Sequence, residues 1–182
     1  MKYFLILSQL CILSCGFYSL AGSIPPHIKS ISIPLVQNQT SDFNLSEDLT
    51  DKIISQFNES GILSIQDKDK AHSILNGTIK KITDGPYSYN KNESVSEFRY
   101  KIDVKIEWYD NTNEKNIIEK NYSGFGAYGL SGDISTDGID NDNDGKIDSE
   151  DEDEFGEPRS FAANVAINKI AEDILNDIMT TW

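Results

Sequence analysis

The stretch Phe98-Arg99-Tyr100-Lys101-Ile102-Asp103-Val104-Lys105-Ile106-Glu107-Trp108 determines the fold, because every second residue in it is apolar and the residues between are charged. Side chains of a β-strand point alternately to opposite faces, so this pattern predicts a long strand with one buried face and one wet face. A sheet that is wet on one face carries its helices on the other. The pattern therefore indicates a two-layer α+β domain.

Shorter strands are predicted before and after this stretch. The candidates are residues 27–36, 62–66, 73–82 and 116–123. A polar turn at 110–115 would make the last of these a hairpin partner of the long strand. Within 73–82, the pair Asn76-Gly77 indicates either a β-bulge or a close backbone contact.

Two helices are predicted, at residues 45–60 and from about 158 to 180. The first has an apolar stripe, Ser46 or Asp42 as a candidate N-cap, and Gly61 as a left-handed stop. A strand, a helix and a strand in succession favour a right-handed crossover between parallel strands. We therefore expect a two-layer sandwich, with a mixed sheet of four to five strands and two helices packed on one face.

The N-terminus has the composition of an export signal, with Lys2 ahead of an apolar run that ends at Cys15. The sequence Ile12-Leu13-Ser14-Cys15 fits the bacterial lipobox, in which the cysteine receives a diacylglycerol and becomes the first residue of the mature chain. The run is shorter than the roughly 20 apolar residues of a membrane-spanning helix, which argues against an anchor helix. A plain secretory signal remains the alternative.

A covalent lipid on Cys15, with acyl chains such as palmitate, would hold the mature protein on a membrane surface without spanning it. Gly16 and Phe17 follow the cysteine. In enteric bacteria an Asp at that place retains a lipoprotein in the inner membrane, so its absence favours the outer membrane, with the protein facing the periplasm. Residues 1–14 are thus predicted to be the signal peptide, and 15–182 a single domain.

The formal net charge of −14 is concentrated in one segment. Residues 133–157 hold 12 of the 30 acidic residues and a single base, Lys146, so the rest of the chain is nearly balanced. The sequence contains no basic stripe of the kind that binds nucleic acid. The acidity therefore belongs to an insert at about 130–157 and not to the domain as a whole.

Acidic residues within this insert follow the spacing of a calcium loop of EF-hand type, with Gly145 at the place where the loop must turn sharply. Asp151 stands where a bidentate Glu is usual, which predicts weak calcium binding. The alternative is a disordered acidic loop that binds no metal and only keeps the surface soluble. The expected ligands are Asp140, Asp142, Asp144, the main-chain carbonyl of Lys146, Asp148 and Asp151.

Six segments, taken in order, carry a resemblance to a known family. They are 15–40, Leu49-Thr50-Asp51, Leu75-Asn76-Gly77-Thr78-Ile79, Val95-Ser96-Glu97-Phe98-Arg99-Tyr100, Gly124-Phe125-Gly126 and Ala171-Glu172-Asp173-Ile174-Leu175. Together they resemble the LptE-like lipopolysaccharide-assembly lipoproteins, over the mature chain except for about 130–157. The resemblance implies a non-catalytic outer-membrane lipoprotein. Family members act in lipopolysaccharide transport as plug and folding partner of a β-barrel translocon, and they contact lipopolysaccharide.

The residues that touch lipopolysaccharide in the family are basic and lie near sheet loops, but the sequence does not align them with named positions here. The ordinary interpretation of bases on a strand is a solvated face. The available bases on the central strands and their loop are Lys80, Lys81, Lys91, Arg99, Lys101 and Lys105.

No enzyme is predicted. His27 and His72 are the only histidines, and neither lies in a nucleophile or zinc motif. His27 is instead expected to have a packing or capping role at the start of a strand. The alternative function is a lipid-anchored, calcium-dependent binding or scaffold module of the cell envelope.

Overall fold

The computed structural model describes residues 24–129, 134–136, 138, 140, 145–147 and 156–180. Both helices span the residues predicted for them. The elements are β1 (Ser30–Ser32), β2 (Gln37–Asn38), α1 (Leu45–Ser60), β3 (Ser64–Ile65), β4 (Ser73–Tyr89), β5 (Val95–Asp110), β6 (Lys115–Tyr128), a single 3-10 turn at Ile134–Thr136, and α2 (Pro158–Thr180).

The strands form one mixed sheet in the order β3-β1-β4-β5-β6, and β2 pairs with β4 beside β1. β1 is parallel to both β3 and β4, so the predicted parallel pairing of the strands before and after α1 is confirmed. β4, β5 and β6 are antiparallel and joined by hairpins. The predicted α+β class, with two helices and a mixed sheet, is confirmed.

The core lies between the helices and one face of the sheet. The apolar side chains of β5 from Tyr100 to Trp108 are all at most 1% exposed, whereas the charged residues between them are partly exposed on the opposite face. Burial of side chains of this size contributes about 1.5–3 kcal/mol each. The alternation in the sequence therefore sets both the position of β5 and the face that it buries.

Two glycines of β6 let α2 lie directly on the sheet. A Cβ added to Gly124 would stand 2.1 Å from the carbonyl oxygen of Ala166, and one added to Gly126 would stand 2.4 Å from that of Ala162. Real Cβ atoms do not come so close to backbone atoms. The Gly-Phe-Gly segment is therefore a packing requirement of the contact between β6 and α2.

The predicted strand at 27–36 is wrong in extent. Within it only Ser30–Ser32 forms a strand, β1, and pairing resumes at β2, beyond the predicted range; Pro34 between them has no N–H to donate to a sheet. The predicted strand at 73–82 is too short, since β4 continues to Tyr89 along its hairpin with β5. The unpredicted β2 raises the strand count in the described chain to six.

Asn76-Gly77 does not form a β-bulge. The register between β4 and β5 runs without interruption there and shifts instead between Ile79 and Lys81, and again after Pro86. The expected close backbone contact is not found either, because the atoms nearest to Gly77 belong to side chains. A Cβ on Gly77 would stand 2.9 Å from Cγ2 of Val36.

The predicted caps of α1 are right at one end and wrong at the other. Gly61 adopts a φ of 62° and its N–H donates to the carbonyl oxygen of Phe57 at 3.1 Å, as expected for a left-handed stop. The N-cap is Asn44, without a side-chain hydrogen bond, and not Ser46 or Asp42. The carboxylate of Asp42 instead accepts a hydrogen bond from the hydroxyl of Tyr100.

No helix in the described part of the chain combines the length and the apolar character needed to cross a membrane.

Candidate ligand-binding site

Two bases on the wet face of the sheet, Lys101 and Lys105, are bound to neighbouring carboxylates. Lys101 Nζ lies 2.8 Å from Oδ1 of Asp103, and Lys105 Nζ lies 2.7 and 2.6 Å from Oε1 of Glu107 and Glu119. The hydrogen bonds that Lys105 donates to these two glutamates raise its pKa. Partly exposed pairs of this kind add little to stability, because water screens their charges. Lys101 and Lys105 therefore belong to an internally paired, solvated strand face.

Arg99 has a different environment. Its guanidinium carbon lies 5.0 Å from the ring centroid of Tyr87 and 5.5 Å from that of Phe125, and the two rings are 6.1 Å apart. Tyr87 is 47% exposed and Phe125 is 40% exposed. Within the described part of the chain, Arg99 has no carboxylate partner. We call Tyr87, Arg99 and Phe125 the cation–aromatic cluster.

The sheet register places these three side chains together. Tyr87 is the extra residue between Pro86 and Ser88, which pair with Phe98 and Glu97 of β5. A β-bulge redirects the side chain of its extra residue, here towards the guanidinium of Arg99. Sequence analysis identified Arg99 as one of six bases but missed both aromatic partners, because the bulge has no signal in the residue pattern.

The described chain enters the fold at the opposite end of β5. Nε2 of His27 lies 2.7 Å from Oδ2 of Asp110, whose side chain is fully buried. Burial alone would raise the pKa of Asp110, but hydrogen bonds from His27, from the side chain and N–H of Asn113, and from the N–H of Thr112 lower it to about 2. Eleven residues of one strand separate Arg99 from Asp110, a distance of roughly 36 Å.

Neither histidine is arranged for catalysis. His27 ties the chain entry to the β5–β6 turn, which agrees with a structural role. Nδ1 of His72 lies 2.7 Å from Oγ of Ser30, but Ser30 is only 1% exposed. A substrate therefore cannot reach this hydroxyl.

A second polar network joins the start of α2 to the sheet. Arg159 donates from Nε to Oδ2 of Asp84 at 2.8 Å and from Nη2 to Oδ2 of Asp42 at 3.2 Å. Asp42 also accepts from the hydroxyl of Tyr100, and Asp84 accepts from that of Tyr128. Burial, together with the hydrogen bond to Asp84, raises the pKa of Tyr128 to about 12. These groups satisfy one another's hydrogen bonds and hold the start of α2 against the sheet.

The predicted calcium loop is only partly described. Gly145 adopts a φ of 96°, and its N–H donates to Oδ2 of Asp140 at 3.0 Å. Lys146 is described and exposed. Within the described ranges, no group of three or more His, Cys, Asp or Glu residues is arranged to hold a metal ion. The predicted site residues Asp142, Asp144, Asp148, Asp151 and Cys15 lie outside the described residues, as does the predicted signal peptide at 1–14.

The two-layer fold and the wet sheet face agree with a known family. Residues 28–182 match the model of the lipopolysaccharide-assembly family LptE. The chain belongs to the LptE family. The predicted membership is thus confirmed, and the protein is a lipopolysaccharide-assembly lipoprotein of the cell envelope. LptE is a non-enzymatic family, which confirms that this member is not an enzyme.

The solved structures that share the fold of this LptE-family protein include the following two. A protein of Xanthomonas campestris has a TM-score of 0.53 at 7% identity, over 86% of this chain and 90% of that one. A hypothetical protein of Chlamydia trachomatis has a TM-score of 0.52 at 10% identity, over 83% of this chain and 98% of that one. At such identities the likeness shows the fold alone. No curated protein has a matching sequence.

Proposed function

We propose that this LptE-family protein is the lipid-anchored plug and folding partner of an outer-membrane β-barrel translocon, and that its cation–aromatic cluster contacts lipopolysaccharide. Lipopolysaccharide combines phosphates with sugars and acyl chains. Arg99 offers a cation without a carboxylate partner in the described chain, and Tyr87 and Phe125 offer exposed rings beside it. This combination is the observation that carries the proposal.

The position of the cluster also supports this role. A tether from Cys15 would reach the fold near His27, where the chain meets Asp110 at the far end of β5. The rigid strand would then hold Arg99 roughly 36 Å from the membrane-proximal end. A lipid-anchored plug with its ligand site at the distal end is suited to receiving a molecule on its way through a barrel.

The ligand site is tested by titrating the mature protein with purified lipopolysaccharide. Replacing Arg99 by Ala removes a cation–π group and a phosphate partner, so we expect the affinity to fall about tenfold. Phe125→Ala should reduce it by a smaller factor. The matched control is Lys68→Ala, which removes one positive charge from an exposed site near β3 and should change the affinity less than twofold. Equal effects of Arg99→Ala and Lys68→Ala would exclude the cluster as the site.

The plug role is tested separately by purification of the full-length protein from cell envelopes. A large, heat-modifiable barrel protein should copurify with it, and depletion should make the outer membrane leaky. A barrel that assembles normally and copurifies with nothing would favour the alternative of a lipid-anchored envelope module.

The lipid anchor at Cys15 is a further part of the proposal. Mass spectrometry of the mature protein should find an N-terminal cysteine carrying acyl chains, and Cys15→Ser should release the protein from membranes. An unacylated, secreted chain would contradict both the anchor and the outer-membrane location.

Calcium binding by the acidic insert is the last part. The turn at Gly145 and its hydrogen bond to Asp140 support it, because alternate oxygens of such a loop converge when the sixth residue allows a sharp turn. The metal would brace the connection between β6 and α2 and would take no part in a reaction. Calorimetric titration with millimolar calcium should give a heat signal, and the absence of a signal would show that the loop does not bind calcium.

A further inference from the structure

In the described chain, only the first half of β4 has a neighbouring strand on the side away from β5. β2 pairs with β4 at Thr78 and Ile79, and the N–H of Gln39 donates to the carbonyl oxygen of Ile79 at 3.1 Å. The chain then turns away, with Oδ1 of Asn38 accepting from the N–H and the hydroxyl of Thr40. In the described part of the chain, no strand pairs with residues 81–89 on the side away from β5.

The register identifies which backbone groups are open on this edge. Ile79 is opposite Val104, and its carbonyl points away from β5 towards β2. Along an antiparallel strand, the backbone N–H and C=O groups of every second residue bond to the neighbouring strand, and those of the residues between point away from it. After the register shift that follows Ile79, the backbone groups of Ile82 and Asp84, opposite Ile102 and Tyr100, therefore also point away from β5.

Pro86, opposite Phe98, is the next outward position. A proline has no N–H to leave unpaired, so it is tolerated on an open edge. The open stretch is therefore short. It offers the N–H and C=O groups of Ile82 and Asp84 and then ends at Pro86.

A cleft of about 630 Å³ lies beside this edge. One wall is formed by the residues that follow β2, including Phe43, which is 84% exposed. The other wall is formed by Lys80, Lys81 and Ile82 of β4, and Arg159 completes the lining. The cleft thus lies where a continuation of β2 would run.

The charged side chains of the cleft indicate which kind of segment it binds. The cleft is lined by Lys80, Lys81 and Arg159, but Arg159 is already paired with Asp42 and Asp84, so Lys80 and Lys81 supply its positive charge. Lys80 donates to the neutral amide of Gln39, and Lys81 has no ion pair among the described residues. A second copy pairing through the same edge would place lysines against lysines. An extended segment with acidic side chains would instead meet positive charge, while its backbone paired with the open groups of β4.

We propose that the edge of β4 at residues 82–84, together with this cleft, binds an extended acidic segment of a partner protein by strand addition. The segment occupies the position beside β4 that a longer β2 would occupy. Its carboxylates lie beside Lys80 and Lys81, and one of its apolar side chains packs against Phe43. The proposal does not depend on lipopolysaccharide binding at the cation–aromatic cluster.

The test uses the mature protein and a fluorescent eight-residue peptide in which Val and Glu alternate. Two further peptides serve as comparisons, one with Lys in place of Glu and one N-methylated on alternate backbone nitrogens. We expect the acidic peptide to bind, and both comparison peptides to bind at least tenfold more weakly. Hydrogen exchange of the N–H groups of Ile82 and Asp84 should slow only with the acidic peptide.

Charge reversal in the cleft provides the second measurement. The double change Lys80→Glu and Lys81→Glu should weaken the acidic peptide at least tenfold, whereas the matched pair Lys68→Glu and Lys70→Glu, near β3, should leave it within twofold. Equal binding of the N-methylated peptide would overturn strand addition. So would protection of the two N–H groups by phosphatidylglycerol vesicles and not by the peptide, which would assign the cleft to a lipid surface.

Discussion

His27 and Asp110 form a hydrogen-bonded pair across 83 residues of sequence, with 2.7 Å between Nε2 and Oδ2. The pair fastens the segment that enters the fold to the last residue of β5. Asn113 donates to the same carboxylate from its side chain, so the β5–β6 turn is held as well. One buried carboxylate therefore joins the entering chain, the central strand and the hairpin turn.

This carboxylate predicts a stability change at acid pH. The pKa of Asp110 is lowered to about 2 in the folded protein, below an ordinary value of about 3.9. This difference in pKa contributes about 2 kcal/mol to the free energy of unfolding. The contribution is present at pH values above the unfolded pKa and is lost as the pH falls towards the folded pKa.

We therefore expect Asp110→Asn to lower the free energy of unfolding by about 2 kcal/mol at pH 7 and by much less near pH 2. Urea unfolding of both proteins across this range provides the measurement. Asp67→Asn, at an exposed carboxylate, is the control and should follow the wild-type protein at every pH. A loss of the same size at pH 2 and pH 7 would disprove the assignment.

Gly124→Ala should destabilise the protein by about 3 kcal/mol, because the added methyl would collide with the backbone of α2 at Ala166. Gly85→Ala, in β4, is a matched control, since a Cβ there has no atom within 4 Å. That change should alter stability by less than about 1 kcal/mol. Thermal unfolding of the two variants measures the difference, and equal melting temperatures would contradict the close packing of α2 on β6.

Tyr100→Phe removes the hydroxyl that donates to Asp42 at 2.7 Å. Hydrogen bonds to charged acceptors contribute about 1.5–3 kcal/mol, so we expect a loss of about 2 kcal/mol in the free energy of unfolding. Tyr89→Phe, at a ring that is 62% exposed, should change it by less than about 0.5 kcal/mol. If both variants unfold at the same urea concentration, the Asp42 contact does not stabilise the fold.

Asp140→Asn tests the proposed calcium loop. Replacing the first ligand of such a loop removes a charged oxygen, and we expect the calcium affinity to fall at least tenfold in calorimetric titration. Asp67→Asn again serves as a control of equal charge and should bind calcium as the wild-type protein does. Unchanged calcium binding in Asp140→Asn would mean that the metal lies elsewhere.

The sequence was sufficient for those elements whose signal is local. The period-two pattern from Phe98 to Trp108 located β5 and its buried face, because alternation of side chains is a property of any extended backbone. Gly61 located the end of α1 for a similar reason, since a left-handed residue is a local requirement. The order of several short segments also indicated the family.

The cation–aromatic cluster was not predictable from sequence, because Tyr87, Arg99 and Phe125 come from three strands and meet only through a specific register. The same holds for the N-cap of α1, where Tyr100 competes for the carboxylate of Asp42 from the distant strand β5. A bulge changes the direction of a side chain without changing the composition around it.

The sequence by itself determined the class of fold, the buried face of β5, the extents of both helices and the family, all of which follow from periodicity and from the order of short segments. The tertiary structure alone decided which cation lies between two exposed rings and which edge of β4 is open in the described chain. Both depend on strand register, in which a shift of one residue reverses the face that each side chain occupies.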